Sequence, residues 1–464
     1  MIQNLIKVLT DNEVERLHNE SMQVLERVGL KVPNAEVLAL CRKAGAMVDA
    51  QQETVRIPQK VMEAALAACR PAEPPELSPV TDLRGSISTQ VFFVEYPGNV
   101  RRKGTLDDVR KGIKVSDTLK NIWGSSAVVI PSDLPWNQTD VASFREIYLY
   151  STNPGGTYIL TPTGARGIIA MGKTVGRTMS YGLETVSPLG FQRSSLEMAL
   201  LFAREGMGIW VGPMVIGGAT GPMTIWGNTV LQNAEIIGTN FLIWAMSGKM
   251  TGYGSGNHTM DMRTTLCSFG SPNQALLGMM NAQMARYYGW YGGSNSALAD
   301  ACLPDYQCGF EKAFSGLFSV LSGNTGIGCQ GIVGADQGIS LEQLVLDNDW
   351  LDAYNYVLKG VQPDDEALEL IERIGIGGNY LSEDHTVMNM RANYWEAPSK
   401  SFWRDQWEPW KDAGMKTIYD RAHEYVERVT AGYRSADPVL DASKAEEIER
   451  IYRDTCAGLQ KERV

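Results

Sequence analysis

Aromatic side chains are the residues of this chain whose type and number most clearly suggest chemistry. The sequence contains 11 Trp and 18 Tyr. The face of each ring attracts a quaternary ammonium by about 0.5–2 kcal/mol. Several rings fall at predicted strand ends or in the loops that follow: Trp136, Tyr158, Trp244, Tyr253, Trp290 and Tyr291. Together they favour a quaternary-ammonium site, although any single ring is more often part of a core.

Groups that could act as general acids, nucleophiles or metal ligands are few. There is no HExxH and no GxSxG motif, and the four histidines are His18, His258, His385 and His423. A zinc site would need residues whose spacing matches no established zinc pattern: His258, Cys302, Cys308 and Cys329. This scarcity indicates a reaction that needs no proton transfer.

Two glycine-rich runs are candidates for ligand-binding turns. Gly326, Gly328 and Gly331 fit the spacing GxGxxG, but an apolar run continues after them where a dinucleotide site requires a helix. A nucleotide role is therefore not favoured. Residues 252–258 (GYGSGNH) are predicted to form a turn after the fifth strand, on the face of a barrel where sites are built.

Charge and composition exclude several classes of protein. The 464 residues carry a formal net charge of −11 and no block of Lys or Arg, so the footprint of a nucleic-acid binder is missing. Seven scattered cysteines do not form a disulfide framework, and no signal peptide is visible, so we expect a cytoplasmic protein. Residues 206–299 contain only five charged residues, but interruptions such as Pro213 and Pro222 predict a buried centre rather than a membrane span.

Strand-like and helix-like segments alternate eight times between residues 121 and 360. Their number predicts an α/β protein with a (β/α)8 TIM-type barrel, although a doubly wound open sheet would show the same alternation. The predicted strands are 122–130, 157–161, 184–190, 209–216, 241–246, 264–269, 289–293 and 326–333. The predicted helices are 139–150, 164–177, 194–205, 222–238, 257–262, 272–287, 307–321 and 340–358.

Added helical segments flank the barrel, which gives three predicted domains: an N-terminal helical cap with a β-hairpin (1–120), the barrel (121–360) and a C-terminal helical extension (361–464). In the first, a capping box of Thr10 and Glu13 opens a helix that ends at Gly29. Further N-terminal predictions are helices at 34–44 and 58–68, a proline-rich linker at 71–79 and a hairpin at 86–103 turning at 97–99. The C-terminal helices are predicted at 364–373, 416–433 and 442–461.

Several motifs resemble a known family. The run 294–312 (SNSALADACLPDYQCGFEK) resembles a segment of the trimethylamine–corrinoid methyltransferase superfamily, as do 340–347 and 377–386. The segments VLERVGLKV and VRIPQKV resemble the N-terminus of that family. The resemblance covers essentially the whole chain and implies a barrel with added terminal helices. The chain reads through with standard amino acids, so it is similar to the branch without pyrrolysine, whose members demethylate quaternary amines.

The resemblance implies transfer of a methyl group from a quaternary amine, glycine betaine first, to Co(I) of a separate corrinoid protein. A quaternary ammonium leaves as a neutral amine and needs no general acid, so the chain must supply binding, alignment and exclusion of water. No histidine lies in a D-x-H-x-x-G corrinoid motif. We therefore expect no cofactor or metal in the chain itself, a corrinoid protein as partner and a homo-oligomer.

The expected substrate site combines an aromatic cage with donors for a substrate carboxylate. From their predicted loop positions, the cage residues are Tyr96, Tyr158, Trp244 and Tyr253. The donor candidates are Asn257, His258, Gln307, Gln330, His385 and Arg391, of which the arginine would bind a carboxylate through two hydrogen bonds.

Three alternatives stay open at this stage. The same reaction could use proline betaine, carnitine or γ-butyrobetaine, because pocket volume is a tertiary property. A zinc-dependent corrinoid methyltransferase for thiols or methanol would carry one tightly bound zinc per chain. A non-catalytic betaine-binding protein would bind the substrate and transfer no methyl group.

Overall fold

The N-terminal part of the computed structural model, which describes residues 5–71 and 82–462, is helical as predicted. Its elements are α1 (Asp11–Arg27), β1 (Leu30–Lys31), α2 (Ala35–Lys43), β2 (Met47–Asp49), β3 (Thr54–Arg56) and α3 (Gln59–Ala68). The capping box is confirmed, because the Thr10 hydroxyl accepts from the Glu13 backbone N–H and the Glu13 carboxylate accepts from that of Thr10. The predicted linker lies outside the described residues except for Pro71.

A strand and a hairpin follow. β4 (Arg84–Ile87) precedes β5 (Phe92–Glu95) and β6 (Val100–Lys103), which pair in antiparallel fashion around the predicted turn at 97–99. α4 (Leu106–Ser116) then begins after Thr105, whose side chain caps the helix together with Asp108.

Helices alternate with short strands through the centre of the chain, so the protein is α/β. The elements are α5 (Thr139–Tyr150), α6 (Pro162–Thr174), β7 (Ser180–Leu183), α7 (Arg193–Arg204), β8 (Gly208–Val211), β9 (Ile216–Gly217), α8 (Ile225–Ser247), β10 (Tyr253–Ser255), β11 (His258–Asp261), β12 (Leu266–Ser268), α9 (Asn273–Tyr287), β13 (Gly292–Ser294), α10 (Tyr306–Leu321), β14 (Gly326–Gln330), β15 (Ile332–Val333), β16 (Gly338–Ile339) and α11 (Leu341–Leu358).

The strands pair mainly in parallel, as α/β crossovers require. One sheet has the order β10-β13-β14-β4 with every neighbour parallel, and β7 pairs in parallel with β8. Isolated parallel bridges join Gly85 to Ile122 and Ser125 to Pro154. Because β4 pairs with β14, the segment 1–120 contributes a strand to the sheet of the segment 121–360; the three-domain division stays a prediction.

Several predicted elements are wrong. Residues 241–246 (FLIWAM), predicted as a strand, belong to the 23-residue helix α8, because a fully buried helix is apolar on every side and loses its periodicity. Residues 257–262, predicted as a helix, contain β11, which pairs with β12. Residues 184–190, predicted as a strand, follow β7 as a loop, and no strand covers 157–161.

The C-terminal part contains α12 (Ala367–Ile374), α13 (Asp384–Asn389), α14 (Trp407–Asp412), α15 (Ile418–Thr430) and α16 (Ala442–Leu459). The three predicted C-terminal helices are confirmed as α12, α15 and α16. α16 packs against α5 and α6, and α15 packs against α11. Among the helices of the described residues, none combines the length and the apolar character needed to cross a membrane.

Candidate active site

The strands β7 and β8 turn one face toward the helices and the other away from them. Four of their residues are buried in the core shared with the helices: Tyr181, Leu183, Ile209 and Val211. Because successive side chains of a strand alternate between faces, Gly182 and Trp210 belong to the opposite face. Trp210 is 46% exposed although both of its chain neighbours are buried. The face turned away from the helices therefore borders open space.

Glycines keep this face clear. Gly254, Gly293 and Gly326 are paired across β10, β13 and β14, and Gly182 is paired with Trp210 across β7 and β8. Gly212 and Gly328 follow Trp210 and Gly326 by two residues. Gly182 and Gly212 leave room for the Trp210 ring. A Cβ atom at Gly182 would lie 2.5 Å from its Cζ2, and one at Gly212 would lie 2.7 Å from its Cζ3, so a side chain at either position would clash with the ring. Here glycines make room for one large aromatic ring.

Two carboxyl groups border the same space. Glu184 follows the carboxyl end of β7, and Asp336 lies in the turn between β15 and β16. Burial raises the pKa of Glu184, and the charge of Asp336 raises it further. Burial also raises the pKa of Asp336, which accepts a 2.9 Å hydrogen bond from Gln90 Nε2. Solvent nevertheless reaches both side chains. A group crowded by protein but open to solvent lies on the wall of a cavity.

Cys329 and Asn295 complete this wall. Cys329 Sγ lies 3.8 Å from Asn295 Oδ1. Burial raises the pKa of the Cys329 thiol to about 12, and the charges of Asp336 and Glu184 act in the same direction. The thiol is therefore protonated at neutral pH and is a poor nucleophile. We infer that Glu184, Trp210, Asn295, Cys329 and Asp336 border one space, which we call the strand-end cavity. Charge or contact makes all of these but Trp210 neighbours, and the Trp210 ring lies against Gly182, which is two residues from Glu184.

A buried glutamate fixes the loop that carries Glu184. Glu235 on α8 is fully buried and accepts hydrogen bonds from Thr185 Oγ1 (2.5 Å), Ser187 Oγ (2.7 Å) and the Leu189 backbone N–H (2.7 Å). Burial raises the pKa of Glu235, and the three hydrogen bonds act in the opposite direction. The buried carboxylate is therefore fully hydrogen-bonded. Glu235 thus positions the residues next to the cavity without facing it.

A buried ion pair fixes the end of β14. Lys312 Nζ lies 2.8 Å from Asp347 Oδ2, and both side chains are fully buried. Asp347 also accepts from the Gly331 backbone N–H (2.6 Å) and from Gln343 Nε2 (2.8 Å). Such a pair tolerates burial because every charge is paired and hydrogen-bonded.

Two further carboxylates hold the loops beyond β12 and β13. Asp300 accepts from the backbone N–H groups of Phe269 (2.6 Å) and Gly270 (3.0 Å). Glu311 Oε2 accepts from those of Asp300 (2.8 Å) and Ala301 (3.1 Å). Asp300, Glu311, Lys312 and Asp347 all lie in the runs that carried the family resemblance. In this structure those motifs shape the loops at the strand ends.

The comparisons with known proteins agree with the resemblance. The sequence matches the profile of the trimethylamine methyltransferase (MTTB) family over residues 2–455. The chain belongs to this family. It is 26% identical to a glycine betaine methyltransferase of Desulfitobacterium hafniense (strain Y51), over 94% of this chain and 95% of that protein. It is also 26% identical to a trimethylamine methyltransferase of Desulfitobacterium hafniense (strain DSM 10664 / DCB-2), over 91% and 89%.

A solved structure is also similar to this member of the MTTB family. It is the monomethylamine methyltransferase of Methanosarcina barkeri, which matches with a TM-score of 0.49 and 11% sequence identity over 97% of this chain and 93% of the other.

Two of the predicted donors meet in a buried polar chain of this MTTB family member. Asn257 Nδ2 donates to Asn228 Oδ1 (2.7 Å), and Asn281 Nδ2 donates to Asn257 Oδ1 (2.7 Å). His258 Nδ1 lies 2.8 Å from Gln274 Oε1, and its Nε2 has no hydrogen-bond partner in the described part of the chain. Burial lowers the pKa of His258 to about 4, so the ring is neutral at pH 7.

The other predicted donors lie apart from one another. Gln330 is buried at the end of β14 and donates to the Gly328 carbonyl (3.1 Å). Gln307 is exposed on α10 and donates to Glu311 (2.8 Å). His385 pairs with Asp364 (2.8 Å) in an exposed C-terminal stretch that also contains Arg391. Their role as substrate ligands stays a prediction.

The four predicted cage rings do not come together. The Tyr96 hydroxyl donates to Asp420 Oδ1 (2.6 Å). Trp244 packs on α8 beside Phe241, with ring centroids 5.6 Å apart. The remaining two also have separate surroundings: Tyr253 is buried, donates to Asn233 Oδ1 and stacks on Tyr288, and Tyr158 neighbours Asp140. The fold therefore does not bring all four rings together in one cage.

Sequence reasoning missed Trp210, Glu184 and Asp336. Trp210 lies within the predicted strand 209–216 and Glu184 begins the predicted strand 184–190, so the pattern assigns both to structural elements. A signal existed in the alternation of β7 and β8 (SYGLE and GIWVG), where Gly182, Gly212 and Trp210 share a face. As for the zinc alternative, the described residues contain no group of three His, Cys, Asp or Glu arranged to hold a metal ion.

Proposed function

We propose that this chain transfers a methyl group from a quaternary amine, with glycine betaine as the preferred donor, to the corrinoid of a separate protein. The observation that carries this proposal is the strand-end cavity, in which an aromatic face and two carboxyl groups border a glycine-cleared, solvent-reached space. Membership of the MTTB family supports the reaction class. The chain is equally identical, at 26%, to a glycine betaine methyltransferase and to a trimethylamine methyltransferase, so the choice of donor rests on the cavity and on the resemblance to the branch without pyrrolysine.

We further propose that the strands form one (β/α)8 barrel. In order around it would lie β4, the bridged segments at 122–125 and 154, then β7, β8, β10, β13 and β14, which pairs again with β4. Two junctions, 154 to β7 and β8 to β10, carry no ladder pairing among the described residues. The charge of Asp336, beyond β14, raises the pKa of Glu184, just beyond β7, which supports two strands facing across a barrel.

The cavity suits a permanent cation. The Trp210 face attracts a trimethylammonium group by about 0.5–2 kcal/mol. A carboxylate adds direct charge attraction, which is stronger in a site from which water is partly excluded. Glu184 has no hydrogen-bond donor among the described residues, and Asp336 has one. A bound cation would therefore pair with carboxylates that have few hydrogen-bond donors in the described residues.

The methyl transfer needs little chemistry from this chain. Co(I) of the partner supplies the nucleophile that accepts the methyl group. The C–N bond breaks with its electron pair left on nitrogen, so the amine leaves neutral and no general acid is required. Trp210 and Glu184 would orient the ammonium with one methyl group toward the open side of the cavity. We propose the Asn295 amide as a donor to the betaine carboxylate.

The test is a methyl-transfer assay with reduced cobalamin, and then with a cognate corrinoid protein, against a panel of quaternary amines. We expect loss of Co(I) absorbance with glycine betaine and its abolition or strong reduction by Glu184→Gln. Glu197→Gln, an exposed glutamate on α7, is the matched control and should retain full rate. Turnover only with a larger betaine would replace the preferred donor and keep the reaction. Binding without turnover would favour a betaine-binding protein.

A further inference from the structure

Cys329 has a backbone conformation that its residue type disfavours. Its φ of 70° lies in the left-handed region, which glycine adopts at no steric cost and other residues adopt at a cost. Cys329 also lies in a β-bulge, because β14 advances three residues, from Ile327 to Gln330, while its partner β4 advances two. A bulge changes the direction of the side chains near it, and here the thiol comes to lie beside Asn295.

Hydrogen bonds on both sides hold the bulge in this conformation. The Gly331 backbone N–H donates to Asp347 (2.6 Å), the acid of the buried ion pair with Lys312. Gln330 Nε2 donates to the Gly328 carbonyl (3.1 Å). A strained residue persists only where its surroundings fix it, and such residues are found preferentially at functional sites. The position of the Cys329 thiol on the cavity wall is therefore firmly determined.

Asn295 is held through its backbone and through one end of its side chain. Its backbone N–H donates to the Ser255 carbonyl (3.0 Å), and its own carbonyl accepts from Gln274 Nε2 (2.9 Å). Its Oδ1 lies 3.8 Å from Cys329 Sγ. Its Nδ2 has no hydrogen-bond acceptor within the described part of the chain. The NH2 group is thus the one end of this side chain that a ligand can use.

The thiol determines which end of the Asn295 amide faces the sulfur. A protonated thiol is a hydrogen-bond donor, so the amide oxygen turns toward Cys329 and the NH2 group turns away. Two glycines enclose the amide closely. A Cβ atom at Gly256 would lie 2.9 Å from Nδ2, and one at Gly328 would lie 3.1 Å from Oδ1.

We propose that Cys329 is a positioning residue, which turns the Asn295 NH2 group toward the substrate carboxylate and gives the cavity its preference for quaternary amines that carry one. This inference rests on the proposed function. Glu184 and Asp336 attract an ammonium group but repel a carboxylate, so a zwitterion is preferred only where a donor faces its negative end. A quaternary amine without a carboxylate makes no use of that donor.

A purely structural role for Cys329 gives a different expectation. The residue also packs against an apolar cluster of Phe269, Leu298 and Ile332, and a cysteine often serves only as a small apolar side chain. Loss of packing would disturb the whole cavity and would weaken every ligand alike. A positioning role affects only ligands that have a carboxylate.

The experiment is titration calorimetry of the full chain with glycine betaine and with tetramethylammonium, which has no carboxylate. Cys329→Ala should weaken glycine betaine about fivefold and change the affinity for tetramethylammonium by less than about twofold. Cys329→Ser keeps a donor and should restore most of the loss. Cys267→Ala, a cysteine that packs against the same apolar cluster, is the matched control and should leave both affinities unchanged.

A second variant guards against unfolding. Cys329→Gly removes the thiol and suits the left-handed backbone, so it should be folded in a thermal melt and show the same selective loss of glycine betaine. Weakening of both ligands alike, or of neither, in the Ala and Gly variants overturns the proposal.

A double-mutant cycle tests whether Cys329 acts through Asn295. Asn295→Ala should weaken glycine betaine more than Cys329→Ala does, and combining the two should cause no further loss. Additive losses overturn the positioning role.

The methyl-transfer assay separates this inference from the proposed function. Methyl transfer from betaine without a selective loss in Cys329→Ala removes only the positioning role. A selective loss without methyl transfer keeps the positioning role and removes the proposed function.

Discussion

The buried carboxylates of this protein and those of the strand-end cavity have opposite surroundings. Asp347 and Glu235 are fully buried, and each accepts three hydrogen bonds or ion-pair contacts. Glu184 and Asp336 are reached by solvent and have at most one donor between them among the described residues. Glu235 and Asp347 lie on the helices α8 and α11 and accept hydrogen bonds from backbone near the strand ends, whereas Glu184 and Asp336 lie at a strand end and in a turn.

The difference teaches how to assign roles to acidic residues in one fold. A carboxylate whose acceptor sites are all filled holds backbone and has nothing left for a ligand. A carboxylate that the protein crowds but does not satisfy is held at a cost, and a cationic ligand lowers that cost. The motifs that identify the family are of the first kind, and the cavity residues are of the second.

The largest effect should come from the buried pair. Lys312→Met leaves Asp347 buried without its cation, and we expect a loss of about 3–5 kcal/mol in the free energy of unfolding. Urea unfolding measures this quantity. Lys173→Met breaks an exposed ion pair with Glu205 and should cost at most about 1 kcal/mol. Equal losses in the two variants would contradict the structural role of Lys312.

Glu184→Gln should affect ligand binding rather than stability, which is the opposite of the effect expected for Lys312→Met. We expect unchanged thermal stability and a fall of about 2 kcal/mol or more in the binding of glycine betaine, roughly 30-fold in Kd. Titration calorimetry and a thermal melt measure the two properties on the same sample. A destabilised variant that binds normally would move Glu184 into the structural group.

Trp210 should make a smaller contribution. Trp210→Ala is expected to weaken betaine binding by about 0.5–2 kcal/mol, and Trp210→Phe should recover part of that loss because it keeps an aromatic face. Trp407→Ala, another exposed tryptophan on α14, is the control for the loss of an indole ring. If Phe and Ala behave alike at position 210, the ring does not contact the ammonium.

The smallest expected effect is a dependence of betaine affinity on pH. Burial and mutual repulsion raise the pKa of Glu184, and burial raises that of Asp336. A cation binds the ionised carboxylates, so betaine affinity should be constant above both raised pKa values and should fall as the pH drops through them. Calorimetry between pH 4 and 8 measures the profile, with about tenfold as the limit per unit of pH for each proton taken up. A flat profile in the unaltered protein would exclude both carboxylates from cation binding.

The sequence was most informative where structure is local. The capping box at Thr10 and Glu13, the hairpin turn at 97–99 and the terminal helices follow from side-chain and backbone chemistry within a few residues, and all are confirmed. It was least informative in the charge-poor centre. There α8 read as a helix followed by a strand, because complete burial removes the periodicity on which such predictions depend.

By itself, the sequence determined the family, the α/β class and the scarcity of acid–base groups, because motifs and composition are linear properties. Only the tertiary structure decided which acidic residues are satisfied and which aromatic ring borders open space. Trp210 has room for its ring because Gly182 of the neighbouring strand β7 and Gly212 carry no side chain, and the pKa of Glu184 is raised first by burial and then by the charge of Asp336, more than 150 positions away. Such relations depend on strand pairing and on the path of the chain, so no local pattern encodes them.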